Sequence, residues 1–286
     1  MPLTILFIGD IVGKPGRQML TKALPELIVR WNLQLVVANS ENAAGGSGLN
    51  QQCFDEIKRA GVDVLTMGDH IYKKKEIMPL LESRGRILRP ANFPPEAPGA
   101  EFTIATARDG APVAVFTVLG RVFMRPVDCP FRAADRVLAA IGSQAKAVIV
   151  DMHAEATSDK LIMGRYLDGR ASAVLGTHTH VPTADEQIFP GGTAYISDVG
   201  MTGPYDSILG RRVDRVTETT VSFVPAFFDV AIGDPRLCGA KVEIDSSTGR
   251  ALSIERISIR EAEANELAAA YSQRSPREIP PGVFAR

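Results

Sequence analysis

Much of what this sequence could have been is excluded by what it has little of. Cysteine occurs three times in 286 residues, at Cys53, Cys129 and Cys238, widely separated and without a C-x-x-C pair. That pattern argues against a disulfide framework and predicts three buried thiols in a reducing compartment. Long apolar runs are also missing. None approaches the 18 residues of a spanning helix, and Asp10 interrupts the first run before it could act as a secretory core. A cytoplasmic protein without membrane attachment is therefore expected. Finally there is no surplus of charge. Thirty-two basic residues stand against thirty-three acidic ones, a net charge of −1, so any affinity for phosphate must be local. With 45% apolar and 23% charged residues the chain reads as soluble and globular. No repeat, low-complexity linker or composition break divides it, so one domain over 1–286 is expected.

Histidine is scarce but concentrated. All four sit in short polar clusters after strand-like apolar runs: His70 in GDH, His153 in DMH, and His178 and His180 in GTHTH. Acidic and amide groups occupy the same kind of place, with Asp10 closing TILFIGD, Glu41 and Asn42 following LQLVVANS, and Asp69 preceding His70. Taken singly, a histidine near a loop can be a satisfied polar group, and Asp10 can be a helix cap. Together they predict one shared metal site with oxygen and nitrogen ligands and no thiolate.

The first half alternates strands and helices. Strand Leu3–Ile8, a helix across residues 16–31, strand Leu35–Ala38, helix Gln51–Ala60 and strand Val62–Met67 give the rhythm of a sheet with helices on its faces. Phe102–Thr106 and Val113–Leu119, with Asp109-Gly110 between them, predict a hairpin, so the sheet is mixed. A helical pattern at Ala133–Ile141, strand Ala147–Val150, helix Ser158–Leu167 and strand Ala173–Leu175 resume the alternation. A mainly β region then runs from Thr193 to Ile259 with a turn at Ser246–Gly249. A short Ala/Glu-rich helix follows Glu261, and a loose Pro/Arg end from about 275 closes the chain. In such sheets ligands gather at the carboxyl ends of strands, where all the candidate groups fall, each a few residues past a strand. If Thr177–Val181 is extended, His178 and His180 point to the same side.

Other motifs have plainer readings. The Gly13–Gly16 segment lacks phosphate-loop spacing and is expected to be a turn feeding a helix, with Lys14 and Arg17 available to a phosphate. Gly45, Gly46 and Gly48 either line a cleft or only turn the chain. The Lys73–Lys75 run is expected on a solvated face.

In order, GD at Gly9-Asp10, SEN at Ser40–Asn42, GDH at Gly68–His70, DMH at Asp151–His153 and GTHTH at Gly176–His180 resemble the motif series of the calcineurin-like metallophosphoesterases. More closely, IGDIVGKPGR, ANSENAAGGSG, MHAEATSDK, GTHTHVPTADE and SDVGMTGPYDS are similar to the YmdB-like bacterial subgroup, from residue 5 to about 208. The resemblance implies a four-layer α/β/β/α sandwich with mixed sheets and two divalent transition-metal ions, commonly iron or manganese. By position, one ion would take Asp10, Glu41, Asn42 and His180, and the other Glu41, Asp69, His153 and His178, with Glu41 bridging. His70 would stand beside them as proton donor to the leaving oxygen or hydrogen-bond donor to the phosphate. Val12 in place of a D-x-H histidine, and Glu41-Asn42 in place of the G-D-x-x-D bridge, are shared with the subgroup. Asp69 is this chain's own departure, since the common pattern is GNH. Asp10, Glu41 and Asp69 set −3 against +4 from two ions, which lowers the pull on a phosphate anion.

The expectation is a dinuclear metal-dependent phosphodiesterase acting on small phosphodiesters, 2′,3′-cyclic nucleotides such as 2′,3′-cAMP above all, and assembled as a homodimer or tetramer. Stable nucleic-acid binding is not expected. The alternatives are a regulatory nucleotide- or partner-binding protein with vestigial turnover, and a phosphomonoesterase.

Overall fold

The run PLTILFI has six consecutive buried positions, and a strand covered on both faces belongs between two layers. In the computed structural model, which describes residues 2–82, 86–275 and 278, this run is β1 (Pro2–Ile8). It is followed by α1 (Gly13–Arg30), β2 (Leu35–Asn39), α2 (Gln51–Ala60), β3 (Val64–Thr66), α3 (Met78–Glu82) and β4 (Ile87–Leu88). Next come β5 (Phe102–Thr106), β6 (Pro112–Leu119), α4 (Pro130–Ile141), β7 (Ala147–His153), α5 (Thr157–Tyr166), β8 (Ala173–Thr177), β9 (Gln187–Ile188) and β10 (Ala194–Ile196). The remaining elements are β11 (Gly203–Asp206), α6 (Val213–Ser222), β12 (Gly233–Asp245), β13 (Ala251–Arg260) and α7 (Glu261–Ser272).

The strands form two sheets. One has the order β11-β12-β1-β2-β3-β4, with β13 beside β12, and its β1 to β4 run parallel while β12 opposes β1. The other has the order β5-β6-β7-β8-β10-β9, parallel at its centre with antiparallel edges. Side chains alternate along each strand, so each sheet has two apolar faces to bury. Leu3, Ile5, Phe7 and Val37 of the first sheet meet Val113, Val115, Ile149 and Leu175 of the second in a common core. The outer faces are covered by α1 and α2 on one side and α4 and α5 on the other. The result is the four-layer α/β/β/α sandwich with mixed sheets. Because β1, β2, β3, β7 and β8 all end at the same edge, their following residues converge there.

Several local expectations are corrected. Gly13–Gly16 is the first turn of α1 itself, entered through an extended Val12 and a bond from the Gly13 N–H to the Asn42 carbonyl. The third strand is trimmed to Val64–Thr66. The region from 193 to 259 contains a helix, α6, which has no buried residue and is rich in β-branched Val and Thr, residues that favour strands. Cys53 and Cys238 are buried, but Cys129 is only half-buried at the entrance to α4. The expected end from about 275 lies almost wholly outside the described residues.

Candidate metal centre

All eight singled-out residues meet at the carboxyl edge of the two sheets. Glu41, 1% exposed, is the hub. Its Oε1 lies 3.1 Å from His153 Nε2 and its Oε2 accepts the His70 N–H at 2.9 Å. Asp69 Oδ1 lies 3.4 Å from His153 Nε2 and 3.6 Å from His178 Nδ1, and the two histidine atoms are 3.1 Å apart. One ligand atom from each of Glu41, Asp69, His153 and His178 fits within 4.8 Å of the others, the spacing of groups around a single cation. Next to this cluster, His180 Nε2 faces Asp10 Oδ1 at 3.7 Å and Asn42 Nδ2 at 3.2 Å. Gly68 makes room for the arrangement, since a Cβ there would stand 2.2 Å from His153 Nε2.

Two atoms test whether a cation fits. Asp10 Oδ1 and Asp69 Oδ1 are buried side-chain oxygens without a hydrogen-bond partner, one in each group. Leaving a buried carboxylate oxygen unpaired costs several kcal/mol in general, and a cation at each place would remove that cost. The tautomers agree with this. Thr177 Oγ1 gives its proton to Asp151 Oδ1 at 2.6 Å, so it accepts from His153 Nδ1–H at 2.8 Å. The neutral imidazole then presents its Nε2 lone pair to the cluster. In the same way the Leu209 carbonyl, 3.0 Å from His180 Nδ1, turns His180 Nε2 towards Asp10. Asn42 is the exception. Its Oδ1 accepts from His70 Nδ1 at 2.8 Å and its Nδ2 faces His180, so it can ligate through oxygen only by turning its amide over.

The electrostatics express the same crowding of charge. Burial alone would raise the Asp10 and Asp69 carboxyls, but the neighbouring histidines outweigh it and hold both well below the usual range. Burial likewise opposes charge on His153, yet Glu41 and Asp69 push that imidazole well above its ordinary value. His178 moves the other way, lowered by burial and by the charge of His153. A proton on His153 thus sits where a cation would balance the same carboxylates.

His153 is the last residue of β7 rather than a residue beyond it, since the strand runs on through Asp151-Met152-His153 beside β6 and β8. Nor is Thr177–Val181 extended. His178 has φ 92° and His180 φ 64°, left-handed values that cost a non-glycine residue energy and must be held by surroundings. The holder is Asp198, buried with Lys160 at 2.7 Å, whose Oδ2 accepts the Thr179 hydroxyl at 2.6 Å and N–H at 3.1 Å.

Sequence reasoning did not single out that pair, nor Glu155, whose Oε2 lies 3.3 Å from His178 Nε2 and leaves Nδ1 to face the cluster. Nor did it find Asp151, which accepts from Thr66, Asn39 and Thr177 and so ties the two sheets together beneath His153. The signal was their place inside DMHAE, DK and SDVG, but nothing local distinguishes such residues from caps. Of the glycine loop, Gly46 lines the cleft, a cavity of about 260 Å³ that also takes in Glu41, His70, Glu155, His178 and Arg211. Arg17, expected to be free for a phosphate, is tied to Glu56 at 2.5 Å and to the Ala43 carbonyl.

Residues 6–257 match the family described as YmdB-like protein. The chain is 45% identical over 259 residues to the 2′,3′-cyclic-nucleotide 2′-phosphodiesterase of Bacillus subtilis (strain 168), covering 91% of this chain and 98% of that one. A solved structure from Thermus thermophilus, described as a hypothetical protein, is 42% identical with a TM-score of 0.84, over 91% of this chain and all of that one. A phosphatase from Mycoplasma pneumoniae is 28% identical with a TM-score of 0.85, over 98% and 99%. A sandwich with this metal-binding cluster at its strand ends, matched by sequence and by fold over nearly its whole length, belongs to the YmdB-like family.

Proposed function

We propose that this protein is a phosphodiesterase that uses two divalent transition-metal ions, iron or manganese, to hydrolyse small phosphodiesters, with 2′,3′-cyclic nucleotides as the first candidates. The observation that carries the reading is the pair of buried, unpartnered oxygens on Asp10 and Asp69, the first facing His180 and the second grouped with Glu41, His153 and His178. Asp10, Asn42 and His180 would hold one ion, Asp69, His153 and His178 the other, and Glu41 both. When bound, two such ions lower the pKa of a shared water and neutralise phosphoryl oxygens during in-line attack. The substrate named for the Bacillus subtilis relative supports the cyclic diester.

The chain's own residues supply the rest. His70 lines the cleft with a side chain 30% exposed. With Asn42 turned over to ligate, its Nδ2–H would donate to His70 Nδ1, 2.8 Å from the amide, which leaves the ring proton on Nε2, where it can meet the leaving ribose oxygen. Asp10 Oδ2 accepts the His178 N–H at 3.1 Å and so ties a ligand of one proposed ion to a ligand of the other. A cytoplasmic location fits three unpaired cysteines. A homo-oligomer is supported by the apolar side chains left in water after α6, Phe223 at 89% and Phe227 at 83% exposure.

Metal analysis of protein purified without chelator, joined to a panel of diesters and monoesters with manganese or ferrous iron, tests the reading. About two ions per chain and faster cleavage of a cyclic diester than of any monoester are expected. A metal content near zero after supplementation, or nucleotide binding without turnover, would refute it.

A further inference from the structure

The cleft and the candidate ligands around it carry four carboxylates. Asp69 adds a carboxylate to Asp10 and Glu41, and Glu155 brings a fourth to the cavity wall beside His178. Four negative charges offset the four positive charges of two divalent ions before any hydroxide or substrate arrives. A phosphodiester anion entering such a site needs a positive charge from elsewhere in the protein.

Among the residues lining the cavity, Arg211 is the one with a permanent positive charge. It lies between β11 and α6, two residues past Leu209, whose carbonyl orients His180, so one short segment both aims a ligand and presents the guanidinium. Arg211 Nη1 donates to the Phe228 carbonyl at 2.9 Å and the Gly45 carbonyl at 3.2 Å, and Nη2 donates to the Gly46 carbonyl. Among the described residues no carboxylate forms an ion pair with it, and Asp229 acts on its charge only through space. Three of its five N–H groups are thereby committed, which fixes the plane of the group. Nε–H and one Nη2–H remain for a ligand, enough for a two-pronged approach to adjacent oxygens.

The glycine loop is shaped around this side chain. Gly46 has φ +84°, and a Cβ there would come within 2.5 Å of Arg211 Nη1. The segment Gly45–Gly48 therefore gives the arginine both its anchoring carbonyls and the space to reach the cleft.

We propose that Arg211 is an anion-contacting residue of the active site, donating to a phosphoryl oxygen of the substrate, an inference that rests on the phosphodiesterase reading above. It is distinct from the metal ligands and from His70. Its charge supplies what the carboxylates of Asp69 and Glu155 take away.

The test uses the full chain loaded with manganese, in wild-type form and as Arg211→Gln and Arg211→Lys. Metal content, inorganic phosphate affinity by calorimetry, and KM and kcat for 2′,3′-cAMP are measured on each. Arg211→Gln should keep its metal and bind phosphate about 10- to 100-fold more weakly, the range expected for losing a charge-assisted bond. Arg211→Lys, which keeps the charge but cannot span three carbonyls, should recover a clear part of that affinity. Phosphate affinity and KM unchanged in fully metallated Arg211→Gln would overturn the inference while leaving the phosphodiesterase reading intact. Arg211→Lys as impaired as Arg211→Gln would overturn it too, because the arginine would then be only a clamp on the glycine loop. Wild-type protein that neither binds phosphate nor turns over the diester would refute the phosphodiesterase reading and this inference with it, a result recognisable before any variant is made.

Discussion

The two left-handed histidines make a quantitative demand on the residues beneath them. A non-glycine residue in a sparsely populated backbone region costs about 1–3 kcal/mol, so His178 and His180 together store roughly 2–6 kcal/mol that other contacts must outweigh. Asp198 provides those contacts, through Thr179 between the histidines and through the Gly200 N–H at 2.7 Å, while Lys160 neutralises it at 2.7 Å. Both charged side chains are almost fully buried. Two substitutions separate the parts. Lys160→Met breaks the ion pair and a 3.1 Å bond from Lys160 Nζ to the Thr179 hydroxyl but leaves both bonds from Thr179 to Asp198 in place; Asp198→Ala removes the acceptor as well. Breaking a buried pair by removing one partner costs about 3–5 kcal/mol, so both variants should be destabilised by that order in urea denaturation of metal-free protein. Only Asp198→Ala should in addition lower manganese affinity by about 10–100-fold, the usual scale for losing a residue that orients a ligand. If the two variants lost metal equally, or if Asp198→Ala bound manganese like wild type, the claim that Asp198 positions the histidine turn would be wrong.

Three further outcomes are expected. His70→Ala should reduce turnover about 10²–10⁴-fold with metal retained, whereas His153→Ala should lose metal; the reverse pattern in metal analysis and kinetics would show that the roles have been exchanged. Asp69→Asn keeps an oxygen ligand but removes a charge, so kcat/KM for 2′,3′-cAMP should rise near neutral pH and the rate should reach its plateau at lower pH. An unchanged rate and pH profile in fully metallated protein would defeat the charge argument. The last concerns Asp151, where burial pushes the carboxyl up to about 6 despite Thr66, Thr177 and His153. Its folded value lies above the unfolded 3.8, so the native state takes up the proton first, and its burial penalty, present above pH 6, is relieved as pH falls. Relative to Asp151→Asn, metal-free wild type should gain about 2 kcal/mol of unfolding free energy between pH 7 and pH 4, measured by denaturant titration at each pH; a flat difference would contradict the assignment.

The fold was legible where one physical rule governed. Apolar runs such as TILFI, LVVAN and VIV had to be strands between two layers, and the turn at Asp109-Gly110 joins antiparallel β5 and β6 as its sequence requires. Legibility failed where an element buries little. Helix α6 has no buried side chain, its Val213 and Val221 face solvent, and its run of Val and Thr reads as strand-forming. Strand β7 reads short in the sequence because Asp151 and His153 look like loop residues, although both are fully buried and paired to polar groups rather than to water.

That last failure explains how the site was and was not visible. The residues with metal-binding chemistry announced themselves, because histidine and carboxylate at strand ends are few and have few other reasons to gather. The residues that hold them did not. Asp198 is 45 residues beyond His153, Arg211 lies more than 160 residues from the glycine loop it pins, and Glu155 is an ordinary acid at a helix entrance. Each acts through a contact that exists only after the two sheets have packed and brought distant segments to one edge. The motif order therefore pointed to the candidate ligands, while the charge balance of the cleft, to which Glu155 and Arg211 both contribute, is a property of the folded chain. On the proposed reading this balance, more than the ligand list, would set how strongly a phosphate is drawn in, which is why the substitutions at Asp69 and Arg211 are expected to move phosphate affinity in opposite directions.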